Sequence, residues 1–271
     1  MAKVLVVTSG KGGVGKTTST AALGAALAQQ GEKVVVVDFD VGLRNLDLIL
    51  GAERRVVYDL INVTQGIAKL SQALIRDKRL ENLSLLPASQ TRDKDALTDE
   101  GVTRVIAELR EMFDWVICDS PAGIERGATL AMRHCDAAVI VTNPEVSSVR
   151  DSDRIIGLLD SKTLKAEQGE KVEKHLLITR FDPVRANRGE MLKIEDVLEI
   201  LSTPLLGVIL ESQDVLRASN LGMPVTLCDK NSAPAKAYMN AARKLRGENV
   251  VAVLPTEKRG LLNKIFGRRA A

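Results

Sequence analysis

"KVLVVTSGKGGVGKTTSTAALGAALAQQG" (residues 3–31) decides the fold. Residues 3–8 are an apolar run rich in valine, the pattern of a strand buried on both faces. Residues 10–17 spell G-K-G-G-V-G-K-T and satisfy G-x-x-x-x-G-K-[ST] in full. An alanine-rich stretch follows and stops at Gly31, where a helix end is expected. Strand, glycine loop and helix in that order make a phosphate cradle: the glycines let backbone N–H groups turn toward an anion, and the helix N-terminus adds partial positive charge. Gly10, Gly12, Gly13, Val14, Gly15 and Thr18 are expected to line it. Lys16 is expected to reach the β- and γ-phosphates, and Thr17 to coordinate Mg²⁺.

Outward from the loop, six more apolar runs recur: "KVVVVD" (33–38), "LSLLP" (83–87), "WVICD" (115–119), "AAVIVT" (137–142), "HLLITR" (175–180) and "PLLGVIL" (204–210). Helical stretches separate them, so the expected fold is α/β, a doubly wound, mostly parallel sheet flanked by helices. The expected division is one domain over 1–247, a linker over 248–256 and a distinct tail over 257–271.

The bulk numbers agree with a folded α/β chain. Of 271 residues, 45% are hydrophobic, enough for a core, and 3% are aromatic, so the core is aliphatic. A formal net charge of +3 does not by itself point to nucleic acid. Cys118, Cys135 and Cys228 are far apart and form no CxxC pair, which fits a reducing, cytoplasmic setting. No secretory leader or membrane-length apolar run is apparent.

Three carboxylates sit at strand ends. Asp119 closes "WVICD", the place where a carboxylate holds Mg²⁺ directly or through its water. Asp38 and Asp40 follow the second strand. An exposed Asp is a weak base near pH 7, so Asp40 is expected to orient a water, and Asp38 has a structural role as readily as a direct one. Gly123 is placed to sense a γ-phosphate through its backbone N–H. "TRFD" (179–182) loosely echoes the guanine-reading [NT]KxD pattern with Arg180 for lysine, so residue chemistry leaves ATP and GTP open.

One feature exceeds a phosphate cradle: a second lysine, Lys11, directly after the first glycine. On this lysine, and on "DFDVGLRNLDL", "LPASQTRDKDALT", "CDSPAGIE" and "TNPEVSSVRDSDRI", the chain resembles the deviant Walker A (ParA/MinD) ATPases, and within them the cell-division members. The likeness covers essentially the whole chain. It implies ATP and Mg²⁺, with Arg180 near the adenine. It implies a homodimer with ATP sandwiched between subunits, Lys11 acting in trans on the partner's phosphates. It further implies regulation of division-site placement: recruitment of MinC to the membrane, stimulation and release by MinE, and a partner surface near Asp151 and Asp153.

The tail, "TEKRGLLNKIFGRRAA" (256–271), places Leu261, Leu262, Ile265 and Phe266 on one helical arc, with Lys258, Arg259, Arg268 and Arg269 at its ends. Such a segment is too short to span a bilayer and would lie on an anionic one. One copy binds weakly and reversibly; two copies on a dimer gain effective concentration. The expected location is therefore cytoplasmic and reversibly peripheral on the inner face of the cell membrane. Docking of the tail on its own domain is a second option. Three other readings stand beside this one: a ParA-type DNA-partition ATPase, a MinD-like regulator of flagellar number, and an iron–sulfur ATPase needing paired thiolates.

Overall fold

The computed structural model describes residues 2–90 and 96–250. The linker and tail expectations at 251–271, with Leu261, Leu262, Ile265 and Phe266, lie outside the described residues. Among the described residues no helix is long and apolar enough to cross a membrane.

Among the described residues eight strands form one sheet: β1 (Lys3–Thr8), β2 (Val34–Asp38), β3 (Ile75–Arg76), β4 (Leu83–Leu86), β5 (Trp115–Asp119), β6 (Ala137–Thr142), β7 (Glu173–Phe181) and β8 (Leu205–Leu210). Their order is β3-β4-β2-β5-β1-β6-β7-β8. Seven correspond to the apolar runs. The eighth, β3, is a two-residue edge strand antiparallel to β4, too short to leave a periodic signature. All other pairings are parallel.

The chain winds from β1 to one edge, returns at β5, and continues past β1 to the other edge through β6. The strand order therefore reverses beside β1, and the crevice outside the carboxyl ends of β1, β5 and β2 is where such sheets bind ligands.

Strand residues alternate between two cores. Val4, Val6, Val116, Cys118 and Ile140 face one side with helices Asp99–Met112 and Val146–Lys162. Leu5, Val7, Val36, Ile117 and Val139 face the other with helices Lys16–Gln29 and Ala233–Leu245. The first helix is buried almost all round because the sheet covers one flank and the last helix the other. Its Gly24 is required there: a Cβ would stand 2.7 Å from Val36 Cγ1.

Candidate nucleotide site

The loop leaves β1 at Thr8 and enters the first helix at Lys16. Gly13 and Gly15 have φ of 75° and 93°, values that side chains rarely permit. Gly15 is the helix N-cap, and no side chain caps this helix, so its first N–H groups suit an anion. A cleft of about 510 Å³ opens here, lined by Gly12, Gly13, Gly15, Lys16, Thr17, Thr18 and Asp40 among others.

Lys16 is only 8% exposed. Burial lowers its pKa, against the opposing pull of the Asp119 and Asp40 charges. A cation this buried, at an uncapped helix start, fits a polyphosphate. Asp119 lies between β1 and β2 in register with Val7 and Asp38. Burial pushes its carboxyl up to about 6, opposed by hydrogen bonding to the Thr17 side chain, the Lys16 charge and Thr20. The Thr20 hydroxyl donates to Asp119 Oδ1 at 2.9 Å. The Thr17 hydroxyl and Asp119 carboxylate are thus brought together as Mg²⁺ chemistry requires: the ion commonly takes few protein oxygens, with phosphates and water completing its shell.

Asp38 is fully buried, and its carboxyl is raised well above its ordinary range by burial first and by the Asp119 charge second. It accepts the N–H of Asp40 at 2.8 Å and of Leu46 at 3.3 Å. Asp38 thereby holds the loop that carries Asp40 to the cleft edge.

Gly123 and Lys11 each have a partner within the chain. The N–H of Gly123 does not face the cleft; it donates to the Ser9 carbonyl at 3.1 Å, at a φ of 89°. Lys11 turns to the start of helix Val146–Lys162, where its Nζ meets Glu145 Oε2 at 2.9 Å and Ser147 Oγ at 3.2 Å. Gly10 packs so tightly on this helix that a Cβ would lie 2.3 Å from the Asp151 carbonyl oxygen. Asp151 therefore backs onto the loop, half-buried, whereas Asp153 is exposed.

A second cleft of about 290 Å³ shares Gly13, Gly15 and Thr18 with the first and is walled by Thr179, Arg180, Glu211 and Tyr238 among others. Arg180 has a φ of 55° and pairs with Glu211 at 2.9 Å. Thr179 donates to the Val14 carbonyl at 2.6 Å, tying this wall to the loop. Asp182, the residue that would read guanine, instead caps the next helix by accepting from Val184 and Arg185 N–H at 2.8 and 3.3 Å.

Nothing along the chain pointed to Thr20 or to the buried Ser19–Tyr238 hydroxyl pair at 3.0 Å. Such contacts join segments far apart in the chain. Cys118 and Cys135 lie in the core, each 1% exposed, and burial pushes the Cys135 thiol up to about 12. Neither offers the accessible thiolate that the iron–sulfur reading needs.

With this geometry in place, comparison with known proteins is informative. The family model "CobQ/CobB/MinD/ParA nucleotide binding domain" matches residues 5–225. Septum site-determining protein MinD of Escherichia coli K12 is 61% identical over 270 residues, covering 98% of this chain and 100% of that one. The Neisseria meningitidis serogroup B protein of that name is 60% identical over 271 residues, again 98% and 100%. Among solved structures, the MinD cell division protein of Aquifex aeolicus superposes with a TM-score of 0.82 at 40% identity, covering 93% of this chain and 99% of that one. Pyrococcus horikoshii MinD, solved with Mg-ADP, gives 0.80 at 31% identity, covering 90% and 96%. The chain belongs to the MinD/ParA family of nucleotide-binding ATPases and, within it, stands with the septum site-determining proteins.

Proposed function

We propose that the protein hydrolyses ATP as a sandwiched homodimer, and that ATP-driven pairing places two copies of its C-terminal tail on an anionic membrane to set the cell-division site. Lys16 and the N–H groups of the loop hold the phosphates. Thr17 and Asp119 would hold Mg²⁺, which would supply charge neutralisation at the phosphates. Asp40 orients the attacking water. Lys11 acts on the partner's site.

The observation that carries this reading is the direction of Lys11. Its side chain is 39% exposed and its ammonium is held by Glu145 and Ser147, while Lys16 is sunk in its own cleft. A second lysine held at the surface suits a role toward another subunit. MinC as a partner is supported by the Aquifex aeolicus MinC:MinD complex, TM-score 0.83 at 41% identity. MinE and the Asp151 and Asp153 surfaces rest on family resemblance.

The test is sedimentation with anionic vesicles in ATP and in ADP, with a truncation ending at Thr256 alongside. Pelleting of the full chain in ATP only, and never of the truncation, supports the reading. Binding that ignores the nucleotide refutes the coupling. Binding to DNA and not to lipid moves the assignment to the partition type.

A further inference from the structure

Ser9 lies just before the glycine loop and is fully buried. It makes two contacts with segments of different function. Its hydroxyl donates to the Lys11 carbonyl at 2.7 Å. Its carbonyl accepts the Gly123 N–H at 3.1 Å. A trans peptide points its C=O and N–H in opposite directions. Fixing the Lys11 carbonyl against Ser9 therefore also fixes the direction of the next N–H, that of Gly12, a residue lining the phosphate cleft. One buried serine thus sets the peptide that carries Lys11 and holds the N–H of the loop after β5.

We propose that Ser9 is a positioning residue that couples these two loops, holding Gly123 in check until phosphate arrives. This rests on the proposed ATPase cycle. The Gly123 N–H can serve one strong acceptor at a time, the Ser9 carbonyl or a phosphate oxygen. A buried carbonyl that loses its donor is penalised, so the exchange favours phosphate only when an anionic, stronger acceptor is present. Gly123, free to hold positive φ, is the hinge for that exchange. The Ser9 hydroxyl keeps the Lys11 peptide in place while its carbonyl changes partner.

The experiment compares Ser9→Ala and Ser9→Thr with the unmodified full chain, measuring affinity for a fluorescent ATP analogue and steady-state hydrolysis. Ser9→Ala is expected to lower kcat about tenfold, the worth of one buried hydrogen bond in the transition state, with affinity unchanged within about twofold. Ser9→Thr, which keeps the hydroxyl, is expected to recover most of the rate. Unchanged kcat in Ser9→Ala overturns the proposal. So does a parallel loss of affinity and kcat, which marks a disordered loop, or a Ser9→Thr protein that folds and binds the analogue yet turns over no faster than Ser9→Ala. If the unmodified protein binds the analogue but does not hydrolyse ATP, the underlying reading fails, an outcome distinct from these.

Discussion

Lys11 Nζ sits 2.9 Å from Glu145 Oε2, so the second lysine of the glycine loop is held by the start of another helix. Both side chains are exposed to water, 39% and 52%. Exposed pairs are worth about 0–1 kcal/mol, so the contact can be given up at small cost when a partner's phosphate competes. Lys11→Ala is expected to retain ATP binding and lose hydrolysis, whereas Lys16→Ala weakens ATP binding by at least about a hundredfold. Normal hydrolysis by Lys11→Ala would refute a role in trans. Glu145→Gln is expected to change folding stability by less than about 1 kcal/mol in denaturant titration.

Asp119 gives a pH signature in the nucleotide-free protein. Its folded pKa of about 6 lies above the ordinary 3.8. The folded state then holds the proton that the unfolded state releases, so stability falls as pH rises from about 4 to 6 and the penalty is complete above 6. Asp119→Asn removes the charge and is expected to stabilise the nucleotide-free fold by about 1–3 kcal/mol at pH 7.5, with the gain vanishing near pH 4. The same variant is expected to lose Mg²⁺-dependent hydrolysis. Thermal unfolding across pH checks the first claim; equal stability at pH 7.5 contradicts it.

Asp40 lies at the cleft edge on a loop whose backbone Asp38 holds. Asp40→Ala is expected to slow turnover by about 100-fold or more and to leave a long-lived ATP dimer. Size-exclusion chromatography with ATP reads this directly; rapid return to monomer counts against a water-orienting role.

Gly24 tests the packing of the first helix. Alanine suits a helix better than glycine by about 1 kcal/mol, yet here its Cβ would meet Val36 Cγ1 at 2.7 Å. Val36 is fully buried in β2, so the clash has no cheap relief. Gly24→Ala is expected to destabilise by about 1–2 kcal/mol net; an unchanged or raised Tm would show that the helix can slide.

The glycine loop, seven of the eight strands and the positions of Lys16, Thr17, Asp40 and Asp119 were legible along the chain, because each depends on local pattern. A continuous apolar run marks a strand buried on both faces, and a strand followed by glycines and a helix makes an anion cradle. The two-residue β3 was invisible, since its pairing with β4 comes from proximity at the sheet edge.

The pairing of donors with acceptors came from the folded chain. Asp38 turned out to hold the Asp40 loop, Gly123 to give its N–H to Ser9, and Asp182 to cap its own helix. Lys11 is held by residues more than a hundred positions away. A sequence specifies the donors and acceptors of each residue, and often the strand or loop that bears them. Which donor meets which acceptor depends on the parallel neighbours β2, β5, β1 and β6 bringing their carboxyl ends together at the middle of the sheet. That convergence is a property of the wound chain, and no local stretch encodes it.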